Sequence, residues 1–140
     1  MVKDTFLDKE LYCSVIIPTK NQLSYLKQCI ESIQRSKKSE HLEIIIVDNQ
    51  SDEIETLLYL ETLKQKENIQ ILTWSKPFNF SAINNYAAKK ARSEILCFAN
   101  NDIVISDKNW ISKMIPLIKR DNVGALGCVL LYPNSRIQHA

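Results

Sequence analysis

Ile95-Leu96-Cys97-Phe98-Ala99-Asn100-Asn101-Asp102-Ile103-Val104-Ile105 is an apolar run of strand length that climbs to an abrupt polar triplet, with a second apolar run leaving it. A buried strand does not accommodate Asn-Asn-Asp in mid-course, because unpaired polar groups cost free energy inside a core. The simplest resolution ends the strand near Ala99 and delivers Asp102 to the rim of a sheet. In open α/β sheets, ligands bind outside the carboxyl ends of the strands. The rest of the chain can be read as building that rim.

Working outward, Cys13–Ile17 is a nearly continuous apolar run stopped by Pro18, the signature of a buried parallel strand. Asn21 is placed to cap a helix through about Arg35, with Leu23, Leu26, Ile30 and Ile33 at helical spacing. Glu43–Val47, the most β-branched run, is the second strand and ends at Asp48-Asn49-Gln50-Ser51-Asp52. Asp52 with Glu55 resembles a capping box, opening a helix to about Lys66 on which Ile54, Leu57, Leu58 and Leu63 form the apolar set. A shorter strand, Asn68–Thr73, follows, then a helix from about Ala82 to Ala91 with a face of mainly small residues. After the organising strand, Asp107 is read as the cap of a helix Lys108–Lys119, and Val123–Leu131 as a strand broken by Gly124 and Gly127. Strands alternating with helices predict a mostly parallel sheet covered on both faces. Residues 1–11 read as a polar arm and 12–140 as one α/β domain.

Composition narrows the function classes. A net charge of +2 across 140 residues offers no footprint for nucleic acid, and Lys37-Lys38 and Lys89-Lys90 read as solvated helix surface. Cys13, Cys29, Cys97 and Cys128 are widely spaced without a C-x-x-C pair, which favours a reducing compartment over a disulfide framework. His41 and His139 make no zinc spacing with them. No apolar run approaches the roughly 18–20 residues needed to cross a bilayer, and acidic residues stand where a signal peptide would have its apolar stretch. A cytoplasmic protein is the expectation. Two glycines, both late, exclude the P-loop and the G-x-G-x-x-G dinucleotide fingerprint.

Three polar clusters sit directly after strands: Pro18-Thr19-Lys20, Asp48-Asn49 and Asn100-Asn101-Asp102. In a parallel sheet these ends share one edge, so distant residues converge there. A hydroxyl and two carboxylates on one rim suit a nucleotide and a hard cation, since Mg²⁺ or Mn²⁺ takes oxygen ligands from one or two carboxylates plus substrate phosphates. Each residue also has a structural reading. Asp48, Asp52 and Asp102 taken singly are turn residues or helix caps, and Trp74, Phe78 and Phe80 could stack on a base, although aromatics at such positions are more often core. Asn84-Asn85 divides evenly between ligand contact and local backbone bonding.

Taken together, Ser14-Val15-Ile16-Ile17-Pro18-Thr19-Lys20-Asn21, Glu43–Asn49, Phe80-Ser81-Ala82-Ile83-Asn84-Asn85 and Asn100-Asn101-Asp102 resemble the successive blocks of family-2 glycosyltransferases with the GT-A fold. Leu131-Tyr132-Pro133-Asn134 and Ile137-Gln138-His139-Ala140 resemble the rhamnosyltransferase-like branch that acts on bacterial surface polysaccharides. The resemblance implies a donor-binding part that accepts a nucleoside-diphosphate sugar through Pro18, Thr19, Asp48, Asn85, Asn100 and Asn101. Asp102 matches the last carboxylate of the D-x-D position, where Mg²⁺ or Mn²⁺ bridges the diphosphate. Asn100 replaces the first Asp of that motif and brings no charge. The implied reaction is inverting transfer to a saccharide or lipid-linked acceptor, at the inner face of the cell membrane, with a general base expected beyond Ala140. His139 lies in a stretch the family places before the acceptor region. The alternative is a catalytically incomplete nucleotide-sugar-binding or interaction module. A receiver domain would need an acidic pair where Pro18-Thr19 stand. If the acceptor half is missing, apolar surface is expected near Val123–Tyr132, with an open sheet edge that invites self-association.

Overall fold

A computed structural model describes residues 11–139 of the protein; the arm expected over residues 1–11 lies almost wholly outside the described residues. Strand β1 (Cys13–Thr19) lies beside β2 (Leu42–Asp48), β3 (Ile69–Thr73) and β4 (Leu96–Phe98) in the order β3-β2-β1-β4, all pairs parallel. Helices α1 (Leu23–Gln34), α2 (Ile54–Leu63), α3 (Phe80–Ala88) and α4 (Trp110–Ile118) complete the α/β architecture. β1 and β2 are the inner strands, which is why their residues are apolar on both faces. Val15, Ile17, Ile44 and Ile46 pack with Leu26, Ile30 and Ile33 of α1, Leu60 and Leu63 of α2, and Ile111 of α4. Ile16, Ile45 and Val47 face the other way, onto Ile83 and Ala87 of α3. The expected parallel sheet with helices on both faces is the observed one.

Pro18 does not stop β1. The strand continues through it to Thr19, opposite Asp48. The Ile16 carbonyl accepts from the Ala99 amide on the β4 side, and alternation puts Pro18 on the same side. A proline there can donate nothing to β4, and β1–β4 pairing ends at Ile16 opposite Phe98. The β1 and β4 backbones therefore part company just where the polar triplet begins.

Several local expectations give way to longer-range bonding. Asn21 does not cap α1; it and Gln22 are left-handed, with φ of 53° and 59°, and the Asn21 side chain reaches the loop after β2. Its Oδ1 accepts from the Asp52 and Glu53 amides at 2.9 and 3.1 Å, and its Nδ2 donates to Asp52 Oδ1 at 2.6 Å. The Asp52–Glu55 capping box is not formed, because Asp52 is held by Asn21 and Glu53 occupies the cap position without a side-chain cap bond. On α2, Thr56, Leu60 and Leu63 face inward, while Ile54, Leu57 and Leu58 are exposed. Three-residue spacing had grouped them wrongly, since the helix sits on the sheet through a narrower stripe.

The expected helix over Lys108–Lys119 begins at Trp110. Asp107 instead accepts from the Asn109 amide at 2.8 Å in the turn before it. Residues 103–108 form a strap against α1, tied by Ile105 N to Ser32 Oγ at 3.0 Å and Lys37 N to the Lys108 carbonyl at 2.8 Å. The strand expected over Val123–Leu131 shrinks to β5 (Leu130–Leu131), which pairs antiparallel with β6 (Ile137–His139) in a hairpin separate from the main sheet. Val129, Leu131, Tyr132 and Ile137 of this region are exposed apolar side chains, as the sequence led us to expect.

Candidate functional site

The strand order defines the site. The chain winds from β1 outward through β2 to β3, then returns to place β4 on the other side of β1. The carboxyl ends of β1 and β4 thus flank the point where winding reverses, the place where open α/β sheets leave a crevice. Across it, Asn101 Nδ2 donates to Thr19 Oγ1 at 3.0 Å, joining residues 82 apart in sequence. Thr19 is buried, Asn101 half-buried, and Asn100 and Asp102 are exposed on the same turn. Cys29 of α1 supports that turn from below, its Sγ donating to the Asn100 carbonyl at 3.5 Å. Burial chiefly, and then the Asp102 carboxylate, push the Cys29 thiol up to about 12, so it stays a neutral donor.

The β2 end is welded to β1 on one side and β3 on the other. Asn49 N donates to the Thr19 carbonyl at 2.8 Å, and Trp74 N to the Asp48 carbonyl at 2.8 Å. Asp48 is buried, and its Oδ1 accepts from Ser51 N at 3.1 Å, so part of its work is to shape the turn. Asn49 Nδ2 donates to the Trp74 and Lys76 carbonyls at 3.0 and 3.1 Å. Asn21 N donates to Ser51 Oγ at 2.7 Å, which ties the first rim loop to the second. The result is a pre-set rim of hydrogen-bonded loops.

The structure therefore gathers Thr19, Asp48 and the Asn100-Asn101-Asp102 turn at one sheet edge, with half-buried Pro18 inside the adjoining strand. Asn85 is not bonded to this group; it lies on the exposed side of α3, whose inward residues are Ile83, Asn84 and Ala87. Asn84 is buried instead. Its Nδ2 donates to the Phe80 carbonyl at 2.9 Å, while its Oδ1 is buried without a partner among the described residues. Trp74 packs on Tyr86 at 5.6 Å between ring centroids, as a core aromatic should. Phe78 and Phe80 do not join the core and are exposed.

Sequence reasoning placed Asn49 at the rim without its supporting role, and missed Ser51 and Cys29 as supports. Cys29 offered no signal, because a cysteine in an amphipathic helix reads as a small hydrophobe. It also missed the support beneath the site, where Glu43 accepts from Ser14 Oγ at 2.6 Å, Arg92 N at 2.8 Å and Arg92 Nε at 2.6 Å. That network holds the lead into β4 against β1 and β2. For a metal, Asp102 is an exposed carboxylate at the rim, and among the described residues no group of three or more His, Cys, Asp or Glu could hold an ion. Such a donor set fits a hard cation that takes most of its oxygens from a diphosphate and water.

Known proteins are similar to this chain in sequence and in fold. The sequence is 39% identical over 127 residues to the O-antigen biosynthesis protein RfbC of Myxococcus xanthus, covering 91% of this chain and 10% of that one. It is 38% identical over 128 residues to the uncharacterized protein y4gI of Sinorhizobium fredii, covering 91% of this chain and 14% of the relative. The chain thus spans a small fraction of those relatives' length. In fold it is similar to the mannosyltransferase PcManGT of Pyrobaculum calidifontis, solved in complex with GDP-Man and Mn²⁺, with a TM-score of 0.76 at 17% identity over 93% of this chain and 41% of that one. S. aureus TarS residues 1–349, solved with UDP-GlcNAc, aligns with a TM-score of 0.63 at 25% identity over 76% of this chain and 30% of that one. The family described as Glycosyl transferase family 2 matches residues 14–138, and the chain belongs to it.

Proposed function

We propose that this chain is the nucleotide-sugar-binding part of a glycosyltransferase that moves a sugar from a nucleoside-diphosphate donor to a saccharide or lipid-linked acceptor. The observation that supports this best is the Asn101–Thr19 hydrogen bond across the β1–β4 switch point, which sets Asp102 beside the crevice. In this reading Thr19, Pro18 and Asp48 contact the nucleoside, and Asn100, Asn101 and Asn85 lie along the diphosphate and sugar. Asp102 holds Mg²⁺ or Mn²⁺ against the diphosphate, and the bound cation supplies Lewis-acid stabilisation of the leaving diphosphate. The rim loops contribute preorganisation: the hydrogen bonds among Asn21, Ser51, Asp48, Asn49 and Trp74 order these residues before ligand arrives. Inversion, a rhamnosyltransferase-like donor and a cytoplasmic setting at the membrane belong to the same reading. So does the assignment of residues 12–140 as one donor-binding domain with its general base elsewhere in the enzyme.

A binding module without catalysis is the second reading. Titration calorimetry with UDP-, dTDP- and GDP-sugars, with and without Mn²⁺, tests the donor site in wild type and Asp102→Ala. Metal-dependent binding that disappears in the variant is expected. Equal binding by both proteins would remove Asp102 from the site. Single-turnover transfer of labelled sugar to an added saccharide or lipid-linked acceptor would exclude the second reading.

A further inference from the structure

A cavity of about 390 Å³ lies away from the donor rim, lined by Tyr12, Lys38, Ile111, Ser112, Ile115, Pro116 and Lys119. Tyr12 immediately precedes β1 and its amide donates to the His41 carbonyl at 2.9 Å. Thr19 ends the same strand at the rim, so at about 3.3 Å per residue the cavity is roughly 20 Å from the switch point. Its volume is that of a small-molecule site.

The lining has a definite chemistry. Ile111 and Ile115 form an apolar floor and the Tyr12 ring a flat wall, stacked on His41 at 4.5 Å. Pro116 has no amide hydrogen, so the Ser112 carbonyl one turn earlier receives no helical bond from it; both residues belong to the lining. Two ammonium groups complete it. Lys38 lies over the Tyr12 ring at 5.7 Å, and Lys119 follows the last residue of α4. Among the described residues no carboxylate lines the cavity and neither lysine makes an ion pair. Of the acids in neighbouring turns, Glu40 lies 3.7 Å from His41 and Asp107 pairs with Lys113.

We propose that this cavity binds a phosphate monoester of an apolar alcohol, the phosphate between Lys38 and Lys119 and the apolar body on Ile111, Ile115 and Tyr12. Two unpaired monocations match a phosphate monoester, which carries about −1.5 to −2 at neutral pH. An inorganic anion would leave the floor unused, and a neutral amphiphile would leave both lysines unmatched. The site is separate from the donor rim and does not depend on its function.

The test is a ¹⁵N-NMR titration of the full chain with hexyl phosphate, inorganic phosphate and hexyl glucoside. Hexyl phosphate is expected to shift the amides of Tyr12, Lys38, Ser112 and Lys119 and to bind more tightly than either control. In Lys38→Ala/Lys119→Ala, two lost surface ion pairs should weaken it about tenfold, and Ser112→Phe should fill the space. Unchanged affinity in the double variant, equal binding of inorganic phosphate, or shifts confined to Thr19 and Asn101 would each overturn the proposal. Sedimentation with phosphatidic acid against phosphatidylcholine vesicles separates the sources. Capture by the former alone, lost in the double variant, supports a lipid headgroup, whereas hexyl phosphate binding without capture supports a soluble ligand.

Discussion

Glu43→Ala should be among the most damaging single changes in the molecule, although it lies far from the rim. Glu43 is 2% exposed on β2, directly opposite Ser14 of β1. Its carboxylate accepts three bonds, from Ser14 Oγ, Arg92 N and Arg92 Nε. Removing it strands the buried Ser14 hydroxyl and the Arg92 amide, at about 1–2 kcal/mol each. The guanidinium pair adds less, because the Arg92 side chain is 37% exposed and screened by solvent. The sum is about 3 kcal/mol, or roughly 10 °C in Tm for a domain of this size. Urea denaturation of Glu43→Ala, Arg92→Ala and the double variant measures it. Arg92→Ala should cost only about 1 kcal/mol, since it keeps the main-chain bond. A loss below 1 kcal/mol for Glu43→Ala would refute the reasoning. So would equal losses for the two single variants, which would mean that the ion pair and not the buried donors dominates.

Three further outcomes follow from the packing. Leu60→Ala should cost about 2–4 kcal/mol, whereas Leu58→Ala, on the exposed side of the same helix, should stay within about 0.5 kcal/mol; denaturant midpoints decide. Asn21→Ala removes the acceptor for two amides at the start of α2 and should cost about 1–2 kcal/mol. Equal stability would show that water replaces it. The raised Cys29 pKa predicts an alkaline liability. Between its ordinary 9.0 and about 12 the unfolded thiol loses its proton and the folded one keeps it. Stability should therefore fall with rising pH by about 1.4 kcal/mol per pH unit in that window and be unaffected below it. Cys29→Ala should show a slope shallower by that amount when unfolding is followed from pH 8 to 11.

Family membership leaves the chemistry of this chain at the level of its site residues. Under the proposed function, the preorganised rim would be a donor site built without the glycines that phosphate-binding loops use. Non-glycine residues instead take left-handed conformations, Asn21, Gln22 and Gln50 with φ from 53° to 60°. Asn21 N donates to Ser51 Oγ and Gln50 Nε2 to the Lys76 carbonyl, both in neighbouring loops, while the Gln22 carbonyl accepts from the Tyr25 and Leu26 amides. Such conformations are costly for L-residues and persist where the surroundings over-determine them.

The parallel sheet, its helices and the meeting of three strand ends were legible in the chain alone. Continuous apolar runs of strand length and 3.6-residue periodicity are local consequences of burial, and Asn-Asn-Asp after Phe98-Ala99 could only be the end of a strand. What tertiary structure decided was every choice in which a local partner competes with a distant one. Asn21 had a helix of its own to cap and instead binds the turn that precedes another, 31 residues on; Asp52 had Glu55 and is bound to Asn21. Ile54, Leu57 and Leu58 are as apolar as Leu60 and Leu63, but only the inward stripe finds a sheet to cover. Glu43, at the head of the most β-branched run, gave no sign that it would accept from both Ser14 and Arg92. Local sequence sets which groups need burial or a hydrogen bond. Which partner each one meets depends on strand order and register, and those exist only once the chain has folded.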